Sequence, residues 1–302
     1  MSAIALNRFL NAINKGKTEE DIKNAYAKFF DISYDTSDRH DLYTPRVLFE
    51  FKFDKNFTNL KIRSQIIAQT LYYVRRLKYH GHVDKPIPPI LCLADQNEAI
   101  LTETSQWKDF YDDVAEKYDW DLAPSTPDKQ LVQDISETKL TKEIHVYKIS
   151  VQTEFVIFAE QLTKYLNNQL QIAFEDKKVI TEGNFEEVFE YWNKIFGDAV
   201  RKGFKTSRYF VSDIQRDNTI FYKEQSKAFF RIGQAGEIKE KKILSRDYEH
   251  FWGLFEKVTN VDIIRAILAK IDRLTDETMR RFHGEFFTPV RFATKPLWIR
   301  NP

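Results

Sequence analysis

The stretch that decides the fold runs from Asp41 to Lys52 and reads DLYTPRVLFEFK. Its second half alternates apolar and polar residues, a pattern that predicts a β-strand over residues 47–53. Because successive side chains of a strand point to opposite faces, we expect Glu50 and Lys52 on one face. The other face is then lined by three aromatic rings: Phe49, Phe51 and Phe53.

A turn near the middle of this stretch is predicted to bring its two ends together. Thr44 and Pro45 can turn the chain, so Asp41 is expected on a neighbouring strand, close to Glu50. Two carboxylates would then converge with the ammonium of Lys52. Carboxylate oxygens hold Mg²⁺, the metal lowers the pKa of a bound water, and a lysine orients that water. This combination suits phosphodiester hydrolysis, although a Glu-x-Lys sequence on a half-exposed strand is more often purely structural.

The neighbouring elements predict an α/β layer. Thr18, with an acidic residue three positions later, predicts the capped start of a helix. An apolar stripe predicts a long helix over residues 59–79, and short apolar runs predict strands at 90–94 and 99–104. Residues 119–142 are polar, include two prolines and predict a surface loop. The predicted order is therefore helix, strand hairpin, helix, strand, strand.

This order, together with the residues of the hairpin, resembles the PD-(D/E)XK nuclease superfamily, whose core runs helix, strand hairpin, helix, strand. Asp41 matches the hairpin aspartate, and Glu50 and Lys52 match the ExK motif. The proline of the PD pair is absent, since His40 precedes the aspartate. The resemblance implies a central mixed sheet flanked by helices, catalytic roles for these three residues, and a Mg²⁺ ion held by Asp41 and Glu50. Two further aspartates are less well placed: Asp35 and Asp38.

Two more features of this superfamily are matched. Gln69 and Tyr73 match the QxxxY motif that follows ExK in a subset including type I restriction subunits and RecB-like nucleases. They are four positions apart and so share one helix face, where ordinary packing is the alternative role. Many members also carry a glutamate on the first core helix, which Glu19 matches, with Glu20 as the alternative. For either glutamate, taken singly, a first-turn acid that complements the helix dipole is the more common role.

Any nucleic-acid partner must bind a local basic patch, because the net charge of the chain is only +1. Four cations of the helix predicted over residues 59–79 are expected either to contact DNA phosphates or to form a solvated face. These DNA-binding candidates are Arg63, Arg75, Arg76 and Lys78.

A second resemblance lies near the end of the sequence, where residues 280–293 read RRFHGEFFTPVRFA. This run is similar to the GEFFTP segment that opens the γ-class N6-adenine methyltransferase domains of type I and type IIG systems. In that family the segment contributes to the S-adenosylmethionine pocket, which implies four cofactor-binding residues here: Phe286, Phe287, Thr288 and Pro289. The Gly-rich cofactor loop and the catalytic (N/D)PP(Y/F) motif are both missing from the sequence. We therefore expect S-adenosylmethionine to bind only an intact, longer protein, and no methylation by this chain alone.

The two resemblances occur in the order of fused type IIG restriction–modification enzymes. We expect a PD-(D/E)XK nuclease-like α/β domain over residues 1–178, a mainly α-helical connector over 179–281, and a truncated methyltransferase start over 282–302. The chain would then be a fragment, or a truncated gene product, of a Mg²⁺-dependent endonuclease that acts on double-stranded DNA and cuts both strands as a dimer. Its methyltransferase and target-recognition domains would lie elsewhere. The alternative is a catalytically silent, nuclease-like scaffold of an N6-adenine DNA methyltransferase.

Composition excludes several other classes of protein. The chain is 42% hydrophobic and 30% charged, which is typical of a globular protein. Its single cysteine, Cys92, rules out an internal disulfide framework. The first residues lack the regions of a signal peptide, and no stretch reaches the about 18 apolar residues of a membrane span. We therefore expect a cytoplasmic protein with no membrane partner, and the resemblance to restriction–modification enzymes implies a bacterial one.

Overall fold

The structure is a computed structural model of the 302-residue chain. It describes residues 3–33, 42–81, 83–170, 176–200, 210–211, 213–215, 221–224, 227–232 and 239–274.

The chain divides into two compact units, which are described separately. Unit 1 comprises the residues up to 78 and residues 85–176, and unit 2 comprises residues 79–84 and those from 177 onward. The first predicted domain ended at residue 178 and included 79–84, which the structure groups with the second unit. The predicted methyltransferase start lies outside the described residues, and with it lie four expected cofactor-binding residues: Phe286, Phe287, Thr288 and Pro289.

Unit 1 is built on a five-stranded mixed sheet with the strands in chain order. Its strands are β1 (Leu42–Tyr43), β2 (Val47–Phe51), β3 (Ile90–Ala94), β4 (Glu98–Glu103) and β5 (Tyr147–Lys148). Strands β2 and β3 run parallel, and the other neighbouring pairs run antiparallel. The helices of the unit are α1 (Ala3–Lys15), α2 (Glu19–Phe29), α3 (Leu60–Tyr79), α4 (Lys108–Tyr111), α5 (Lys129–Glu137), α6 (Lys139–Glu143) and α7 (Gln152–Leu166). The predicted α/β class, a mixed sheet with flanking helices, is confirmed.

Strand β2 separates the two cores of unit 1 by the alternation of its side chains. Phe49 and Phe51 pack with α1, α2 and α7 in one buried cluster, while Leu48 packs with α3 and α5 in the other. Glu50 is paired with Leu93 of β3, whose side chain belongs to the same α3 cluster as Leu48. The sheet therefore turns its Glu50 face towards α3, as the alternation of the sequence predicts.

Helix α2 begins where its capping residues predict. Thr18 Oγ1 accepts a hydrogen bond from Asp21 N at 3.2 Å, and Asp21 Oδ2 accepts one from Thr18 N at 3.1 Å. These bonds satisfy backbone donors that the first turn of a helix leaves unpaired. The hydrogen bond from Lys17 N, followed by that of the Thr18 hydroxyl, lowers the pKa of Asp21. The cap fixes Glu19 as the first helical residue.

The prediction of a loop over residues 119–142 is wrong, because α5 lies within this range and α6 begins in it. Asp128 caps α5 by accepting a hydrogen bond from Leu131 N at 2.9 Å. Leu131 and Ile135, one helical turn apart, are both fully buried in the α3 cluster. Burial of this short apolar stripe stabilises a helix whose overall composition is polar.

The core on the α2 side contains a buried tyrosine whose hydroxyl has no partner within the described part of the chain. The Tyr26 ring lies 5.2 Å from the rings of both Phe9 and Phe51, measured between centroids. Its hydroxyl is fully buried and makes no hydrogen bond to any described residue. Burial of a polar group without a partner costs folding free energy.

We therefore expect Tyr26→Phe to raise the free energy of unfolding of unit 1 by about 1 kcal/mol, since it removes only the unsatisfied hydroxyl. The matched control is Tyr147→Phe, whose hydroxyl donates to Gln161 Oε1 at 2.7 Å. Loss of that bond should lower the free energy of unfolding by about 1 kcal/mol. Urea unfolding followed by circular dichroism measures both changes, and a Tyr26→Phe protein as destabilised as Tyr147→Phe contradicts the expectation.

Unit 2 has helices and a second sheet. Its described helices are α8 (Phe185–Val200), α9 (Ser245–Leu254) and α10 (Val261–Leu274), and its antiparallel strands are β6 (Phe221–Glu224), β7 (Lys227–Ile232) and β8 (Lys239–Leu244). The prediction of a mainly helical connector missed this sheet. The sequence of β8, KEKKIL, shows no period-two alternation, so only pairing with β7 identifies it as a strand.

Candidate active site

Two donors converge on one oxygen of a buried carboxylate at the end of β2. Glu50 is 1% exposed, and its Oε1 lies 2.5 Å from Lys52 Nζ. Gln69 of α3 donates a hydrogen bond from Nε2 to the same oxygen at 2.6 Å. Lys52 follows the last residue of β2 and stays in line with the sheet, because its backbone N–H donates to the Ala94 carbonyl at 2.9 Å. The strand, its extension and the facing helix thus each contribute one side chain.

A second carboxylate reaches this cluster from the first turn of α2. Glu19 Oε1 lies 3.8 Å from Lys52 Nζ, and the Glu19 side chain is 49% exposed. Its neighbour Glu20 instead pairs with Lys23 at 2.5 Å along the same helix. Of the two first-turn glutamates, the structure thus brings Glu19 to the ammonium.

The aspartate expected to complete the cluster, Asp41, lies outside the described residues, as do the alternatives Asp35 and Asp38. Leu42, which follows Asp41 in the chain, is paired with Phe49, the residue before Glu50. Tyr73, the last residue of the QxxxY motif, lies one turn beyond Gln69 on α3 and is half-buried.

The electrostatics of the cluster follow from its burial. A charge removed from water needs an opposite charge and hydrogen bonds, and Glu50 Oε1 receives both from Lys52 and Gln69. Lys52 in turn lies between the buried Glu50 and the half-exposed Glu19. The arrangement therefore presents an ammonium and carboxylate oxygens together at the end of a strand.

The turn between β3 and β4 holds a carboxylate that the sequence did not single out. Asp95 is fully buried and accepts hydrogen bonds from the backbone N–H groups of Lys55, Asn97 and Glu98 at 2.9, 2.6 and 3.0 Å. Burial raises the pKa of Asp95, although these hydrogen bonds oppose the change. The bond to Lys55 ties down the segment that follows Lys52. The only sequence signal at this position is the run Asp95-Gln96-Asn97 between two predicted strands, which is typical of a turn.

Two of the four cations expected to form a basic face on α3 are buried. Arg63 is buried and donates from Nη1 to the Phe57 carbonyl at 3.0 Å. Lys78 is 1% exposed, with Nζ 2.9 Å from Asp176 and 3.1 Å from Asp112.

The two remaining cations of this set are half-buried. Arg75 donates to the backbone carbonyls of Tyr111 and Asp113 at 2.9 and 3.3 Å, and its guanidinium stands 4.8 Å from the Trp120 ring centre. The expectation of a solvated or phosphate-contacting face therefore fails for Arg63 and Lys78. Both lie on the side of α3 that packs inward, and the charge of Lys78 is balanced there by carboxylates.

The chemistry of the donor set fits a hard cation, since carboxylate oxygens are the ligands that Mg²⁺ prefers. Glu50 and Glu19 supply such oxygens on either side of Lys52. Within the ranges that the structure describes, which exclude Asp41, no group of three or more His, Cys, Asp and Glu residues could hold a metal ion. The second expected Mg²⁺ ligand, Asp41, lies outside those ranges.

No protein-family model, curated protein or solved structure matches the chain. Among the helices of the described ranges, none has the length and apolar character needed to cross a membrane.

Proposed function

We propose that unit 1 is a Mg²⁺-dependent DNA endonuclease module of a restriction–modification enzyme, which hydrolyses phosphodiester bonds of double-stranded DNA. The observation that carries the proposal is the convergence of Lys52 and Gln69 on Glu50, with Glu19 close to Lys52. The element order α2, β1–β2 hairpin, α3, β3 supports it, because this is the order of the PD-(D/E)XK core.

Stability alone does not account for this cluster. Replacing a buried ion pair by apolar side chains of similar volume often leaves stability unchanged or raises it. The Glu50 carboxylate and Lys52 ammonium are nevertheless placed at the end of a strand whose neighbours Leu48, Phe49 and Phe51 are all apolar and fully buried. A buried carboxylate that is paired with a specific ammonium group is a candidate for a functional site.

Each residue has a distinct role in the proposed reaction. Glu50 and Asp41 would hold the Mg²⁺ ion, which when bound polarises the phosphate and lowers the pKa of a water. Lys52 orients the attacking water and balances the negative charge that develops on the phosphate. Glu19, being half-exposed, is placed to accept a proton or a hydrogen bond from that water. Gln69 is a positioning residue, because its hydrogen bond holds the Glu50 carboxylate in one orientation.

Supercoiled-plasmid nicking tests this proposal directly. Wild-type protein is expected to nick the plasmid with Mg²⁺ or Mn²⁺ and to stop when EDTA removes the metal. Lys52→Met should slow nicking by about a hundredfold, since it removes one group that stabilises developing charge. Asp41→Ala should slow it at least as much. Lys164→Met, at an exposed lysine of α7, is the matched control and should cut at the wild-type rate.

Nicking that survives in both Lys52→Met and Asp41→Ala would refute the site, because a contaminant or another part of the chain would then be responsible. A folded wild-type chain that nicks nothing under any metal condition would overturn the proposed activity for this chain. That result would favour a catalytically silent scaffold of an N6-adenine DNA methyltransferase. S-adenosylmethionine binding, target recognition and dimerisation are then to be measured on a longer protein.

A further inference from the structure

A groove of unit 1 opens between the first turns of α3 and the helix α5. Its cavity volume is about 710 Å³. Two lysines and two amides lie along it, and the nine residues that line it include no carboxylate. The polar lining residues used below are Lys61, Gln65, Lys129 and Gln133, and the apolar ones are Leu60, Pro127 and Val132.

The groove lies next to the candidate active site along a single helix. Gln69, which donates to Glu50, is one turn beyond Gln65 and two turns beyond Lys61. A rise of 1.5 Å per residue puts Gln65 about 6 Å and Lys61 about 12 Å from Gln69 along the axis of α3. A chain molecule that leaves the site towards the start of α3 therefore meets the groove within one or two of its repeating units.

The charge of the groove favours a polyanion. The exposed ammonium groups of Lys61 and Lys129 face no acidic side chain within the lining. The carboxylates of the α5 region all have partners, and the nearest to the lining is Glu137, which accepts a hydrogen bond from Gln133 Nε2 at 3.1 Å. Asp128 accepts the backbone N–H of Leu131, and Asp134 is bonded to Lys117 and to the Tyr118 hydroxyl.

The apolar side chains decide which form of nucleic acid fits. A duplex presents phosphates and sugars outward and keeps its bases stacked, so it would leave the partly exposed Leu60 and Val132 uncovered. An unpaired strand offers both its phosphates to the lysines and its base faces to the apolar side chains. We propose that this groove binds a single nucleic-acid strand that continues from the cleavage site, an inference that rests on the proposed nuclease function.

Fluorescence anisotropy with a labelled thymidine oligonucleotide tests the groove in EDTA, where no cleavage occurs. The full chain is compared with the double variant Lys61→Ala/Lys129→Ala. Each phosphate contact on a single strand contributes about 0.7 to the slope of log affinity against log salt, so the slope should fall by about 1.4. At about 0.15 M salt this corresponds to binding weaker by about tenfold. The control Lys139→Ala/Lys164→Ala removes two other exposed lysines and should bind like wild type.

The same measurement separates the groove from the nuclease. Weaker binding by the Lys61→Ala/Lys129→Ala variant, but not by the control variant, supports single-strand binding in the groove. This conclusion holds whatever the result of the plasmid assay. Equal binding by both double variants, or no binding by wild type, overturns it even if metal-dependent nicking is observed. Duplex binding that weakens in the Lys61→Ala/Lys129→Ala variant as much as single-strand binding would also overturn it, because the apolar lining would then select no form of nucleic acid.

Discussion

Replacing Glu50 by glutamine is expected to lower the rate of metal-dependent DNA cleavage by about a thousandfold. Glutamine keeps the shape of the side chain and an oxygen that can accept from Gln69 and Lys52, but it removes the negative charge. A metal ion contributes several kcal/mol of charge stabilisation in the transition state. Since each 1.36 kcal/mol corresponds to a factor of ten, weakening its binding by about 4 kcal/mol gives the expected loss.

This prediction needs a variant that guards against misfolding, because Glu50→Gln leaves the buried Lys52 ammonium beside a neutral amide. The double variant Glu50→Gln/Lys52→Met removes both charges and should therefore remain folded. It should cut no faster than the single variant Glu50→Gln. Glu160→Gln, at an exposed position of α7, is the matched control. Initial nicking rates are measured beside thermal melting by circular dichroism. If a folded Glu50→Gln protein cuts at the wild-type rate, Glu50 is not part of the active site.

Replacing Gln69 tests a smaller change at the same site, because Gln69 donates a hydrogen bond to Glu50 Oε1. Gln69→Ala takes away the hydrogen bond that orients Glu50 but leaves the carboxylate. A positioning residue of this kind usually contributes about 10–100-fold to metal affinity or activity. We therefore expect a smaller loss than for Glu50→Gln, and a higher metal concentration for half-maximal cutting. A purely structural role for Gln69 would leave that metal concentration unchanged.

Replacing Asp176 by asparagine is expected to destabilise unit 1 by about 3–5 kcal/mol and to lower its melting temperature by about 10 °C. The Asp176 side chain is 1% exposed and accepts hydrogen bonds from Lys78 Nζ, Lys108 Nζ and the Tyr111 hydroxyl at 2.9, 3.0 and 2.7 Å. Losing the negative charge leaves the buried Lys78 with only Asp112 to balance it among these carboxylates. Breaking one side of a buried ion pair is costly because the other charge stays out of water.

The stabilisation by Asp176 is also expected to depend on pH. Burial alone would raise its pKa, but the hydrogen bonds from Lys78 and Tyr111 outweigh burial and lower the pKa from its ordinary 3.8. A carboxylate with a lowered pKa in the folded state stabilises fully above the unfolded value, and loses this contribution as the pH falls through the folded pKa. The difference in stability between wild type and Asp176→Asn should therefore be constant above about pH 5 and shrink below about pH 4.

Urea unfolding at a series of pH values measures this difference. Asp109→Asn, an exposed aspartate of α4, is the control and should change stability by no more than about 0.5 kcal/mol. A difference between wild type and Asp176→Asn that stays constant down to pH 2 would show that the charge of Asp176 is not what stabilises the fold.

Local patterns predicted the elements that carry the candidate site. The alternation from Val47 to Phe51 placed Glu50 on one face and the phenylalanines on the other, since strand geometry alone decides it. The Thr18 cap located the start of α2, and the apolar stripe located α3. Each of these signals acts over a few residues, where covalent geometry and backbone hydrogen bonding set the period.

Only the tertiary structure decided which side chains meet. Gln69 bonds to a carboxylate 19 residues earlier in the chain, and Glu19 rather than Glu20 lies beside Lys52, through the packing of α3 and α2 on the sheet. Tertiary packing likewise buried Lys78 against Asp176, 98 residues away. The physical reason is that such pairings depend on how helices and strands pack against each other. The local periodicity of the sequence specifies a helix or a strand, but not which distant residues come into contact.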